Sequence, residues 1–248
     1  MSLFQICYGP EIGAIFHSIQ KYPGIHKSDL IKNYQYQPEG DISSLVDAAL
    51  NFLLNLRYIE IDKKKGIWPL INNYQVRELT IVKRLNEIAD VNQDPTGPNY
   101  IFSTMYYQMF VIPNRMYIKD LYYEANLTYE KLAISQEKVN AWKRIMEHLR
   151  LGYRVYGGFY ALPHTNLIED IIEEIGEWDG PLQLFFEKKI HPVIPCISNG
   201  TIFNGILYGI LHLGKTGVAT LTKKQDLPYL SYGEKGQWNW ITVGGNQE

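Results

Sequence analysis

Apolar residues recur with helical spacing along this chain, and three such stretches run straight into a short alternating segment. The first is the clearest. Ile42, Leu45, Val46, Ala49, Leu53 and Leu56 fall on one face of a helix, with Asp41 as its cap. Two shorter helices precede it. One covers residues 13–20 and is ended by Tyr22-Pro23-Gly24; the other covers 28–34, with Ser28 at its N-cap. A turn is expected at Gln37-Pro38-Glu39-Gly40. Residues 57–61 then alternate as a strand, residues 62–66 make a turn, and residues 67–70 return.

The pattern recurs. After a stripe of Val76, Leu79, Val82, Leu85 and Ile88, which predicts a connecting helix over 74–91, the loop at 92–99 (NQDPTGPN) breaks the chain as a linker. A short helix is predicted over 117–124 and a stretched turn from Asn126 to Ile134. Ser135 then caps a helix with Val139, Trp142, Ile145, Met146 and Leu149 on one face. Gly152 stops that helix, and residues 153–162 form a hairpin turned by Gly157-Gly158. The third copy has an acidic helix over 166–175, a second over 181–189, and a third from Asn199 to about Leu213 carrying Ile202, Ile206 and Ile210. Strands follow at 217–222 and 238–243. The helix-to-hairpin junctions fall near residues 57, 152 and 215, a period of roughly 80–90 residues.

Three helices and a hairpin within such a span resemble a winged helix-turn-helix domain. The segment from Asp47 to Glu60 (DAALNFLLNLRYIE) carries most of the resemblance, as the junction between recognition helix and wing. The resemblance implies a mainly α chain with small β-hairpins, an α+β class, arranged as tandem winged-helix modules. Residues 1–75 form the first module, 76–99 the connecting helix and linker, 100–163 the second module and 164–248 a third winged-helix-like module.

Composition narrows the class. The apolar fraction is 46% and the charged fraction 20%, enough for a packed core and without a disorder signature. Apolar runs are shorter than a membrane helix needs, so no membrane partner is expected. No basic region with an apolar core opens the chain; a cytoplasmic protein is expected, and the glycosylation triplets at Asn126 and Asn199 then carry no meaning. Cys7 and Cys196 are far apart, which gives neither a disulfide framework nor a cysteine zinc site. The 19 tyrosines read as compositional bias rather than as a functional surface.

Motif searches leave little for catalysis. Residues 209–216 (GILHLGKT) fit the phosphate-loop pattern, but that chemistry needs a strand before the loop and a helix after it. Here a helical stripe precedes and a β-branched segment follows, so the match reads as accidental, at a helix ending at Gly214. His191 and Cys196 lack partners at metal-ligand spacing, and the six histidines are scattered. No G-x-S-x-G, Cys-His or H-E-x-x-H arrangement is present. No enzyme activity, no cofactor and no metal is expected.

Binding remains. In a winged helix the third helix enters the major groove and the wing touches the backbone. The first such helix offers Ser43, Ser44, Asp47, Asn51 and Asn55, with Lys63, Lys64 and Lys65 on its wing. The second offers Gln136, Lys138, Asn140, Lys143 and Arg144, suited to adenine, guanine or phosphate. The third offers Thr201 and Asn204 without a cation before Lys215. The net charge is −2; residues 1–75 hold 7 bases and 7 acids, 76–163 hold 11 and 9, and 164–248 hold 6 and 10. The first expectation is therefore a duplex-DNA-binding protein led by the second module. The alternative is an adaptor subunit whose winged helices dock protein partners, as in the tandem winged-helix subunits that grip kleisins or assemble prokaryotic defence complexes. A protein partner or homo-oligomer is expected in either case, with residues 74–91 as the candidate dimerisation helix.

Overall fold

A computed structural model describes residues 2–37, 39–62, 64–71, 76–91, 94–130, 133–225 and 228–244. The chain is mainly helical with small antiparallel sheets. In order it forms α1 (Pro10–Lys21), α2 (Lys27–Tyr34), α3 (Ser43–Asn55), β1 (Ile59–Asp62), β2 (Gly66–Pro69), α4 (Glu78–Val91) and α5 (Pro98–Tyr106). There follow a π-helical turn (Tyr107–Val111), β3 (Tyr117–Ile118), α6 (Leu121–Thr128), α7 (Gln136–His148), β4 (Tyr153–Val155), β5 (Gly158–Tyr160) and α8 (Thr165–Ile175). The last part comprises β6 (Trp178–Pro181), α9 (Leu182–Phe185), a second π-helical turn (Phe186–Ile190), β7 (Ile197–Ser198), β8 (Thr201–Ile202), α10 (Asn204–Thr216), β9 (Ala219–Thr222) and β10 (Trp240–Val243). Among the described residues no helix is long and apolar enough to cross a membrane. Pro38, Lys63, Tyr74, Asn92 and Gln93, which belong to the expected turns, wing and linker, lie outside the described residues.

The chain packs as two units, residues 1–104 with 125–149 and residues 105–124 with 150–248. In the first, α1 and α3 bury Ile12, Phe16, Ile19, Val46, Ala49, Phe52 and Leu53. Phe16 meets Tyr58 at 5.6 Å and Phe52 meets Phe102 at 6.1 Å. The β1–β2 hairpin gains a third rung where Ile25, between α1 and α2, bridges to Ile67. Gly66 makes that approach possible. Its φ is 88° and a Cβ there would lie 2.1 Å from the Gly24 carbonyl oxygen, so any side chain strains the backbone and collides with a neighbour that cannot yield.

In the second unit β5 lies between β3 and β4, and β10 lies between β6 and β9. Phe159 of β5 packs on Phe110 at 5.7 Å, and Tyr106 reaches Phe110 and Phe203. Each π-helical turn has the same cause. Pro113 and Pro192 stand two residues beyond their turns, lack an N–H and crowd the carbonyl four residues back, which widens the last turn. The wide bonds are Ile112 N–H to Tyr107 and His191 N–H to Phe186. The two segments, 107–118 and 186–197, are equivalent in sequence position: helix, proline, then a strand beginning near Ile118 or Ile197.

All three helix-to-hairpin junctions use one device. Arg57, Arg150 and Gly217 take left-handed φ values of 58°, 61° and 84°, each separated by one or two residues from its strand, β1, β4 or β9. At the first, the Tyr58 N–H reaches back to Leu53 and the Arg57 N–H to Leu54; at the third, the Val218 N–H reaches Leu213. These are the reversed bonds that close a helix through a left-handed residue.

Several expectations need correction. Residues 117 and 118 are a strand rather than the start of a helix, because their partners Tyr160 and Phe159 arrive from forty residues downstream. Asn199 does not open a helix: Asn199 and Gly200, with φ of 48° and 74°, turn the β7–β8 hairpin, and α10 begins at Asn204. The α7 stop is Arg150 rather than Gly152, and α10 runs past Gly214 to Thr216 with Gly217 as its left-handed end. Ser28 lies inside α2, preceded by His26 without a side-chain cap. Asp41 sits one residue ahead of the N-cap and accepts from both the backbone and the hydroxyl of Ser43. Ser135 caps α7 as expected, accepting from the Lys138 N–H.

His191 organises the second π-turn's exit. Its Nδ1 accepts from the Cys196 N–H at 2.9 Å and the Ile197 N–H at 3.1 Å, so the ring is neutral with its proton on Nε2. Burial pushes its pKa below the ordinary histidine value. The unfolded chain therefore binds the proton first, and this contribution is complete above about pH 6.5 and lost as pH falls below it. His191→Leu is expected to cost about 2–4 kcal/mol by orphaning two N–H groups. His191→Asn, with Oδ1 in place of Nδ1, is expected to retain most of that stability and flatten its pH dependence; thermal melts at pH 5 and 7.5 check both. At the first hairpin the two backbone positions have opposite signs. Arg57→Gly is expected to raise stability by up to about 1 kcal/mol and Gly66→Ala to lower it by about 2–4 kcal/mol, both read from denaturant midpoints.

Candidate functional site

The surface of α7 bears most directly on DNA reading. Gln136 and Lys138 are exposed, Asn140 and Arg144 are half-buried, and Lys143 is only 4% exposed. Lys143 stands four residues after Val139 and three before Met146, on the apolar stripe itself, so the expected open position is instead buried. Gln136 Nε2 donates to Asn140 Oδ1 at 3.3 Å.

The N-terminal arm packs against α7. Leu3 and Cys7 are fully buried, and the Leu3 N–H donates to Asn99 Oδ1. Phe4 packs edge-on against Phe102 at 5.1 Å, and the Trp142 indole N–H of α7 donates to the Phe102 carbonyl. The Lys138 ammonium lies 5.9 Å from the Phe4 ring centre, and the Arg144 guanidinium lies 4.9 Å from that of Tyr8. Gly9 closes the arm against His148: a Cβ there would lie 2.1 Å from the imidazole Cγ. Of the three α7 cations, one is buried and two rest on rings of the protein's own arm.

The other candidate helices are no more cationic. Asp47 of α3 is paired with Lys27 at 2.6 Å. Asn55 accepts from Asn99 and donates to the Asn51 carbonyl. Ser43 is bound by Asp41, and Ser44 is exposed. On the first hairpin Lys64 and Lys65 are exposed, and their N–H groups are drawn to Asp62 Oδ1 at 2.7 and 3.0 Å, which holds that carboxyl below its usual range. Thr201 belongs to β8, and the Asn204 N–H is taken by Asn114 Oδ1.

The phosphate-loop match lies entirely within α10. Its glycines have packing reasons. A Cβ at Gly209 would lie 2.1 Å from Ile168 of α8, and one at Gly214 would lie 2.5 Å from Leu221 of β9. Lys215 and His212 of the same stretch line a cleft of about 620 Å³, with Tyr208, Glu234 and Trp238. Burial pushes the Cys7 thiol up to about 12 and the Cys196 thiol higher, so neither is a ready thiolate. Among the described residues no group of three or more His, Cys, Asp or Glu could hold a metal ion.

The sequence reading passed over one surface. Tyr160 of β5 stands directly opposite Tyr117 of β3 and Tyr153 of β4. Directly opposed residues share a face, so the three rings form one row across the sheet. Tyr117 and Tyr160 have ring centres 6.2 Å apart, and His164 stacks on Tyr153 at 4.4 Å with 18° between planes. Ile118 and Phe159 on the other face are buried, whereas Tyr117 and Tyr153 are each 41% exposed. Two nearby cations are engaged: Arg115 donates to the Tyr117 carbonyl and to Glu124, and Arg150 pairs with Asp170 at 3.4 Å. Only the cross-strand register brings these tyrosines together, and no local spacing signals it.

No protein-family model, no curated protein and no solved structure matches this chain.

Proposed function

We propose that the chain is an adaptor, built of winged-helix-like modules that dock protein partners rather than read duplex DNA. One observation carries this reading: α7, the helix best furnished for bases, has Lys143 buried and Lys138 and Arg144 seated on Phe4 and Tyr8. A duplex reader needs cations free to neutralise phosphates.

Other features support it. Three helices and a hairpin follow one another from α1 to β2, the order that the winged-helix resemblance implies, and Ile25 bridges to that hairpin. The net charge of −2 is poor for a polyanion partner. Tyrosine is enriched at the energetically dominant positions of protein interfaces, and a row of it stands exposed on the β3–β5–β4 sheet. The duplex reading keeps one specific support, the exposed Lys64–Lys65 turn.

Fluorescence anisotropy with a generic labelled duplex separates the two. No saturation is expected up to about 100 μM protein at about 50 mM salt, the weak end of ordinary non-specific binding. Tighter binding that falls steeply toward about 200 mM salt, and weakens in Lys138→Ala/Arg144→Ala, overturns the adaptor reading.

A further inference from the structure

We infer that the cleft between α10 and the loop joining β9 to β10 binds a free α-amino acid with an aromatic side chain, held as a zwitterion. The inference goes beyond the adaptor reading and does not depend on it.

Three observations carry it. The first is placement. Tyr208, Leu211, His212 and Lys215 recur at spacings of three and four, so they stand on one stripe of α10. Glu234 and Trp238 of the loop line the same cleft, of about 620 Å³. Small-molecule sites occupy roughly 300–1,000 Å³. The loop is closed on itself. Tyr232 and Trp238 exchange backbone hydrogen bonds of 2.7 and 3.1 Å, and the Gly236 N–H donates to the Gly233 carbonyl at 3.1 Å. Gly233 has a φ of 90°, and a Cβ there would lie 2.4 Å from the Trp238 ring. The indole thus rests on bare backbone, which holds it in place at the cleft.

The second is charge. Lys215 and Glu234 are both exposed, and among the described residues neither makes an ion pair or a hydrogen bond, with the other or with any third group. One cleft therefore presents an unpaired ammonium and an unpaired carboxylate. A zwitterion answers both at once, its carboxylate to Lys215 and its ammonium to Glu234. The two protein charges cancel, which suits a ligand of no net charge. A phosphate dianion would meet one cation beside one carboxylate.

The third is the apolar lining. Tyr208 and Trp238 offer rings, and Leu211 lies between the turns of α10 that carry Tyr208 and Lys215. A ligand ring packed there gains aromatic contact beyond the area it buries. The Tyr208 hydroxyl and the His212 imidazole also make no hydrogen bond among the described residues, so both stand available to orient the ligand's polar end.

The test is calorimetric titration of the full chain with L-phenylalanine. Saturable binding with Kd below about 1 mM is expected. Exposed ion pairs are weak singly, so 3-phenylpropionate, which lacks the ammonium, and phenethylamine, which lacks the carboxylate, are each expected to bind severalfold more weakly. L-Alanine, which lacks the ring, is expected to bind about tenfold more weakly or worse, and adenosine monophosphate is not expected to saturate. Lys215→Met and Glu234→Gln are each expected to weaken phenylalanine binding severalfold with the melting temperature unchanged, since both side chains are exposed. In Lys215→Met, phenylalanine is expected to fall to the level of phenethylamine. Lys188→Met, outside the cleft, is expected to leave binding unchanged. No saturation by phenylalanine up to about 10 mM, equal binding of alanine or of either single-charge analogue, preference for adenosine monophosphate, or full retention in either charge variant each overturns the inference.

Discussion

Strands of two to four residues paired into two- or three-stranded sheets are not stable alone in water. Each one here must press its inner face against a helix, and within each unit a left-handed residue, Arg57 after α3 and Gly217 after α10, turns the chain from helix into strand. The backbone reversal lets Tyr58 drop into the core beside Phe16, and it leads α10 into β9, where Leu221 rests on Gly214. Two of the three junctions use arginine, at a steric cost of about 1–2 kcal/mol relative to glycine. The hairpin's packing must outweigh that cost. Disturbing the inner face of the first hairpin therefore disturbs the end of α3.

That coupling explains what the sequence reveals and what it conceals. Long amphipathic helices state themselves: Val46, Ala49, Leu53 and Leu56, and again Val139, Trp142, Ile145, Met146 and Leu149, are all buried as their spacing requires. The mainly α class with small hairpins follows from those stripes and the turns after them. The elements that escaped are those defined by distant partners. Two-residue strands such as β3 and β7 are too short to alternate visibly, and β3 exists only because β5 arrives to pair with it. Read alone, residues 117–124 are helical; the same holds for the stretch after Asn199, where the turn at Asn199-Gly200 supplies β8 to β7 instead. Lys143 escaped for a different reason. A charged side chain was assigned to the solvent face by its type, although its position places it on the stripe.

Charge is used locally in this molecule. Lys27 goes to Asp47, Arg84 to the Leu56 carbonyl and to Glu87, and Arg115 to Glu124. Other cations lie over rings: Lys138 on Phe4, Arg144 on Tyr8, Lys189 on Trp178, and Lys224 on Trp240 at 3.4 Å. Each such contact attracts a cation by about 0.5–1 kcal/mol at an exposed site, and a phosphate would have to compete with it. In a chain so rich in tyrosine, counting basic residues on a helical wheel overstates the positive field that a polyanion would meet.

The same richness changes how the remaining tyrosines are to be read. Those that hold a cation or a backbone carbonyl are accounted for by the fold: Tyr8 carries Arg144, and the Tyr58 hydroxyl donates to the Thr80 carbonyl. Compositional bias scatters residues without regard to register. It gives no reason for three tyrosines to share one face of one small sheet, each directly opposite the next, while Ile118 and Phe159 fill the core behind them. A slip of one residue in β5 would send Tyr160 inward and Phe159 outward, so the packing that fixes Phe159 against Phe110 also fixes the row. The aromatic face is thus a consequence of the core packing behind it.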